Sequence, residues 1–436
     1  MTSALAAPWR LLRRRPDLAK LVGAGLVSMT GDWLVAVGLT YAVYDLTGST
    51  MASAGVFLTS LLPQVLVGLV AGVLVDRWDR RRTMVVANLV LAAGLLPLLL
   101  VNGAGSIWVV YPVLVLEAVV ETLFAPAEQA MLPRVVDEAD SSELVTANAL
   151  NGQAGNLARL VGGALGGVLA AVGGIPLVAL ADAGTFLVAA LLVARIRTSG
   201  AVAPREQSAD AEVRGRFVEL RAEWVAGARV ALGTRTVRVL GTFLLITSFG
   251  EGIWGTLFAP YVRSVLHGGP EALGVISGIQ AVGGVVGGLV VATFGTRWQP
   301  QRMLAFGALA FGLVDLAIAM YPLGYVHAWP AAVLMVVVGL PGAIVTAGMM
   351  TLFQQHTDDR ERGRVFALLL LVRSTSTVLG SLTAGLLGGA LGIVPVLAWQ
   401  GCGYMLAGVL AVVLLVGRAE GEDRPTAPLE GRATSG

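Results

Sequence analysis

Residues 72–82 read Gly72-Val73-Leu74-Val75-Asp76-Arg77-Trp78-Asp79-Arg80-Arg81-Arg82. Six of the last seven positions are charged, whereas the runs on either side, 53–75 and 83–102, hold no charge at all. Each run has about the 20 apolar residues that span a hydrocarbon core. A dense cluster of charge between two such runs reads as a tight turn between two membrane helices.

The same pattern repeats outward in both directions. Twelve apolar runs can be marked, at 18–44, 53–75, 83–102, 107–125, 147–172, 175–195, 238–261, 272–294, 303–322, 329–352, 365–390 and 394–417. Only 13% of the 436 residues are charged and 56% are hydrophobic, against about a quarter charged in soluble chains. The first run follows Arg10, Arg13, Arg14 and Arg15 but is too long for a signal peptide and holds Asp32 at its centre, so it reads as a span. With the N-terminus inside, 27 of the 30 basic residues fall on the cytoplasmic side, one (Arg263) falls outside, and two (Arg159 and Arg373) lie within spans. That asymmetry fits an even number of spans with both termini cytoplasmic, a multi-pass protein of the cell membrane. Cys402 is the single cysteine, so no intrachain disulfide forms.

The longest connection, 196–237, divides the chain near its middle. Its second part sets Phe217, Leu220, Trp224, Val225, Ala228 and Ala231 on one helical face with charges around the rest, as an interfacial helix does; a solvated linker is the alternative. The halves look related. Arg159, Leu165, Gly166, Ala170 and Gly174 recur as Arg373, Leu379, Gly380, Ala384 and Gly388 at an offset of 214, and Gly72 and Arg81 recur as Gly288 and Arg297 at 216. The expected architecture is an all-α membrane protein of twelve transmembrane helices in two pseudo-symmetric six-helix bundles. Residues 1–195 form the first bundle, 196–237 the cytoplasmic central loop, 238–417 the second bundle and 418–436 a disordered tail.

The quoted loop resembles the G-x-x-x-D-R-x-G-R-R signature of the major facilitator superfamily, with a degenerate copy at Gly288 to Arg297. Four further segments are similar to the macrolide-efflux and enterobactin-exporter type of drug:proton antiporter. They are GDWLVAVGLTYAVYDLTGS in span one, APAEQAMLPRVV after span four, TANAL at span five and RGRVFAL before span eleven. The resemblance implies alternating access, with spans one, four, seven and ten lining a central cavity. The residues themselves suggest a cytoplasmic gate at Gly72, Asp76, Arg77, Arg80, Arg81 and Glu121: Asp76 ends span two, the arginines open span three, and Glu121 near the inner end of span four could meet Arg80. Charge-assisted bonds made there in one state and broken in the other would bias the two conformations; the alternative is that the arginines only fix topology. Asp79 departs from the signature, where glycine is usual, and fits a helix cap. Span five sets Asn148, Asn151, Gly155, Arg159, Gly162 and Gly166 on one face, but Gly163 stands where the antiporter signature has its proline. Close helix packing is the default for these glycines.

Charges at bilayer depth cost roughly 2.5–3.5 kcal/mol each, so each is a functional candidate. Six acids qualify (Asp32, Glu117, Glu121, Asp182, Glu251 and Asp315) and two arginines, Arg159 and Arg373. Asp32, Glu117 and Glu251 fall near mid-depth on three of the cavity spans. They are the expected proton-coupling and substrate-binding acids, and Arg159 belongs to the same expected site, with a buried partnership to Glu117 or Asp32 as its alternative. Asp182 and Asp315 lie on peripheral spans and suit structural hydrogen bonds. A carboxylate taken out of water holds a proton more readily, which is the simplest basis for antiport. Trp33 and Trp254 could offer aromatic faces to a lipophilic cation, or simply pack.

The function expected is proton-coupled efflux of amphipathic, cationic drugs or antibiotics. Export of a siderophore or lipid-like metabolite, and a non-transporting receptor or assembly role on the same fold, are the alternatives. The expected partners are a small-molecule substrate, protons and the lipid bilayer, with no nucleic acid, for a chain that works as a monomer. With Lys20 the only lysine, no phosphate-binding G-K-[ST] loop exists. His267, His327 and His356 have no ligand-like spacing, so neither metal nor cofactor is expected, and nothing marks an enzyme.

Overall fold

Gly174 takes φ 60° and ψ −158° inside an otherwise continuous helical stretch, Ser141–Ala194. A Cβ disfavours that left-handed conformation, and Pro176 just beyond has no N–H to continue the helical ladder. The stretch is therefore two helices meeting at a sharp corner.

The computed structural model describes residues 9–75, 78–136, 141–201, 234–357 and 361–416. Its helices in the first half are α1 (Pro16–Thr47), α2 (Thr50–Val75), α3 (Arg80–Gly94), α4 (Val110–Val135), α5 (141–173) and α6 (175–194). The second half holds α7 (Arg235–Ser264), α8 (Pro270–Phe294), α9 (Pro300–Met320), α10 (Trp329–Gln355), α11 (Arg362–Ala390) and α12 (Ile393–Ala411). Ten helical stretches have the length and hydropathy of a membrane span, α5 and α6 counting as one. Dividing that pair and adding the uncharged 26-residue α2 gives the twelve that the sequence predicts. No strand occurs among the described residues. The amphipathic segment of the central loop and the C-terminal tail lie outside them.

One boundary differs from expectation. The sequence predicts a fourth span over 107–125, ending just before Pro126, yet α4 continues through Pro126 and Pro133 to Val135. Prolines are tolerated in membrane helices where neighbours satisfy the freed carbonyls. The extension puts Glu128 on the same helix as Glu117 and Glu121.

The duplication is visible in the backbone. Among the described residues only Gly48, Gly174, His267 and Gly392 have φ in the left-handed range that disfavours a Cβ. They form two matched pairs, Gly48 with His267 and Gly174 with Gly392, at the turns α1–α2, α7–α8, α5–α6 and α11–α12. The structural mate of Gly174 is thus Gly392 and not Gly388, which the offset of 214 pairs with it but which lies inside α11. Packing repeats as well. A Cβ on Gly166 of α5 would stand 2.5 Å from the Leu34 carbonyl oxygen of α1, and its mate Gly380 of α11 lies against the Phe249 carbonyl of α7. Lipid tails give helices no hydrophobic reason to associate, so such close backbone approach is what holds them.

Each half has its own buried core, around Leu39, Leu98 and Phe186 in one and Leu240, Ile253 and Tyr261 in the other. Between the halves, α5 packs on α8 and α2 on α11, with α1 and α2 also touching α7. These contacts gather at the end that holds the α1–α2 and α7–α8 turns. There Gly274 of α8 meets the Gly163 carbonyl of α5, and Gly385 of α11 sits 2.8 Å (from an added Cβ) from Ala54 of α2. Tyr44 and Ser264 share a hydroxyl hydrogen bond of 2.9 Å, Tyr41 donates to the Gly268 carbonyl at 3.1 Å, and Arg263 pairs with Asp45. That end is sealed.

Candidate functional site

Below the seal, between the halves, lies a cavity of about 940 Å³. Helical spacing supplies its wall: Trp33, Val37 and Thr40 from one face of α1, and Glu251, Trp254 and Phe258 from one face of α7. Phe57 and Gln64 come from α2, Arg159 from α5, Gln280 from α8 and Arg373 from α11.

Arg159 is placed by the glycine one turn along. A Cβ on Gly162 would collide with the Thr30 carbonyl and stand 2.9 Å from Trp33 Cβ, so α5 lies directly on α1. From there the guanidinium passes over the Trp33 ring, 5.0 Å from its centroid, and donates through Nη2 to Gln280 Oε1 of the other half. Its Nε is buried without a hydrogen bond among the described residues. Arg159 thus bridges the halves and pairs with neither Glu117 nor Asp32. The face of Trp33 is already taken by a cation, and Trp254 stacks on Phe258 with centroids 4.4 Å apart.

Glu251 accepts a 2.6 Å hydrogen bond from the Tyr404 hydroxyl of α12. Gly250, with an added Cβ 3.0 Å from Gln400 Cα, keeps α7 and α12 close enough for that bond, and Phe311 packs on Tyr404 at 4.3 Å. Arg159 and Arg373 are electrostatic neighbours of Glu251, but neither is ion-paired to it among the described residues. Asp315 turns inward toward Glu251, and its Oδ2 is buried without a hydrogen bond among the described residues.

Asp32 and Glu117 do not line the cavity. They meet Asp182 inside the first half, the oxygens of the three lying within 4.8 Å of one another. Asp182 is fully buried and accepts from Thr185 Oγ1 at 2.8 Å; Gly31 of α1 leaves the space its carboxylate fills. Glu121 joins the group electrostatically and is hydrogen-bonded to Gln64 of the cavity wall. Glu128 is a further neighbour, 2.9 Å from the position of a Cβ on Gly25. Among the described residues none of these five acids is in an ion pair. Three such carboxylates could share a proton or hold a cation.

In the gate motif, Asp76 and Arg77 lie outside the described residues, and Gly72 is within α2. Asp79 caps α3, accepting from the Arg82 N–H at 2.9 Å. The Arg80 N–H donates to the Gly200 carbonyl at 3.1 Å, and Arg81 Nη1 to the Ile196 carbonyl at 2.8 Å. Glu121 sits with the acid cluster.

Sequence reasoning missed Gln64, Gln280, Tyr404 and Glu128, and it set Asp182 aside. The spacing of Glu117, Glu121 and Glu128 by four and seven, one helical face, was the available signal for the last acid. The polar groups on α8 and α12 had none, because a lone glutamine or tyrosine in a span does not announce its partner.

A family model described as "Transmembrane secretion effector" matches residues 6–432. The chain is 29% identical over 379 residues to the multidrug efflux pump Tap of Mycobacterium tuberculosis, covering 85% of this chain and 86% of that one. It is 30% identical over 429 residues to an uncharacterised MFS-type transporter of the same organism, covering 94% and 93%. Among solved structures it is similar in fold to the peptide transporter POT (TM-score 0.72, 15% identity, 93% and 95% covered). A bacterial homologue of the iron transporter ferroportin in the inward-facing state is a further neighbour (TM-score 0.69, 14% identity, 92% and 98% covered).

Proposed function

The chain belongs to the transmembrane secretion effector family of major facilitator transporters, and from that premise we propose that it exports amphipathic drug-like molecules in exchange for protons by alternating access. The observation that carries the reading is a cavity between the halves, walled by both and sealed at one end. The arginine-rich connections lie at the other end, which the charge rule assigns to the cytoplasm. In this orientation the cavity faces inward, the state that loads an exported substrate. Likeness to multidrug efflux pumps at 27–29% identity supports the direction.

The acid cluster supports proton coupling. Two carboxylate charges 4.8 Å apart repel by about 3.5 kcal/mol at an effective dielectric of ~20. A proton held among Asp32, Glu117 and Asp182 removes that repulsion. Gln64 and Glu121 connect the cluster to the cavity wall, so substrate arrival and proton release can be linked without a shared binding group.

The charge of the substrate follows from the wall and not from the whole membrane interior. Counting all intramembrane acids favours a basic nitrogen. Of those acids only Glu251 lines the cavity, against Arg159 and Arg373. We infer a substrate with an acidic or strongly accepting group for the arginines and an aromatic or apolar body for Trp33, Phe57, Trp254 and Phe258.

Proteoliposomes with an imposed pH gradient test both parts, using fluorescein as the anionic dye and rhodamine 6G as the cationic one. Gradient-driven uphill movement of fluorescein, with partial collapse of the gradient, is the expected result. Movement of rhodamine alone overturns the substrate class but leaves the transporter; movement of neither dye nor of any drug in a panel overturns proton-coupled export.

A further inference from the structure

On the outer surface, away from the cavity, a second hollow of about 830 Å³ lies between α8, α9 and α10. Its origin is the packing of three helices. α8 and α9 are joined by a short turn, Gly295–Arg297, but each packs on α10 rather than on the other. Gly283 brings α8 against the Val336 carbonyl of α10, and Gly307 brings α9 to within 2.9 Å (from an added Cβ) of Val345. A slot therefore stays open between α8 and α9 with α10 as its floor. Its walls are apolar and face the membrane, Phe306 being 54% and Val337 47% exposed.

The mouth of the slot has the opposite character. Arg297, Trp298 and Arg302 converge there, at the α8–α9 turn. Trp298 stacks on Phe294 with centroids 6.4 Å apart, the position of an indole at head-group level. From Arg302 to Val314 at the far end is twelve residues of helix, a rise of roughly 18 Å, comparable with the ~15 Å half-thickness of a bilayer core.

We propose that this slot binds one anionic phospholipid, its phosphate at Arg297 and Arg302 and an acyl chain along Phe306, Ala310 and Val337. Guanidinium groups match a phosphate diester in charge and geometry, and basic pockets between helix ends with apolar depth below them are sites for such lipids. The matching arginine of the first half, Arg81, is turned to protein and donates to the Ile196 carbonyl. Arg297 makes no side-chain hydrogen bond among the described residues and opens onto the slot. An arginine that served only to fix topology would need no aligned apolar groove beneath it.

The test uses native mass spectrometry of the full chain extracted from bilayers with equal phosphatidylglycerol and phosphatidylcholine. Retained lipid should favour the anionic species by about tenfold or more. The double substitution R297Q/R302Q should remove that preference, and Ala310→Trp, which fills the slot, should lower retention of both lipids. Adding inorganic phosphate should displace neither. Equal retention of the two lipids by the unaltered chain overturns the proposal, as does a preference that survives R297Q/R302Q or retention unchanged by Ala310→Trp. Displacement by free phosphate would make it a phosphate site and not a lipid one.

Discussion

Two carboxylates in this protein have opposite surroundings. Asp32 shares its space with other acids and has a buried oxygen without a hydrogen bond among the described residues, whereas Glu251 is held by the Tyr404 hydroxyl at 2.6 Å. Asp32→Asn should therefore abolish gradient-driven export while leaving membrane insertion and folding intact; uphill transport at the unaltered rate would remove Asp32 from coupling. For Glu251 the argument concerns stability. Tyr404→Phe leaves a buried carboxylate short of its donor, a loss of about 1–3 kcal/mol. Thermal unfolding of the purified protein should shift down for Tyr404→Phe and much less for the pair Tyr404→Phe/Glu251→Gln. Equal shifts would mean that the hydrogen bond contributes little.

Helix pairs set which face is closed. The seal combines backbone contact between α5 and α8 with the exposed ion pair Asp45–Arg263, whose side chains are 39% and 48% accessible. Exposed pairs of that kind contribute about 0–1 kcal/mol, so Asp45→Asn should change the balance of states less than about fivefold. Gly167 lies against the Pro270 carbonyl and 2.9 Å (from an added Cβ) from Glu271 Cα, where only a shift of whole helices makes room for a side chain. Gly167→Val should open the seal. With Cys402 replaced by Ser, a cysteine at Thr40 should react faster with an impermeant maleimide from the α1–α2 side in that variant. Unchanged labelling would show that glycine contact does not govern closure.

Over the whole molecule, every connection on one side is short and poor in charge, and the arginines gather on the other. The charge rule places the poor side outside the cell. A cysteine at Gly105, in the α3–α4 connection, should be labelled by an impermeant reagent added to intact cells, and one at Ser199 should not. The reverse pattern would invert the transporter and with it the proposed direction of export. The two-fold repeat carries the same logic, since Arg159 and Arg373 are mates at an offset of 214 and both reach the one cavity.

The sequence by itself determined the number of spans, the duplication and the family. The first two rest on local properties, run length against bilayer thickness, clustered charge and repeated residues at a constant offset; the family rests on the resemblance of the loop from Gly72 to Arg82 to a known signature. It also marked every intramembrane acid of the cavity and cluster except Glu128, which lies beyond Pro126 and so outside the expected span 107–125. What each acid faces was decided only by tertiary structure. Asp32 and Trp33 are adjacent in α1, yet one joins the cluster and the other lines the cavity. A residue advances about 100° around a helix from its neighbour, so depth in the membrane leaves the direction of a side chain open. That direction is fixed by which glycines let a neighbouring helix approach, and for this reason Asp32, Glu117, Glu121 and Asp182 ended beside one another while Arg159 and Arg373 came to face the cavity.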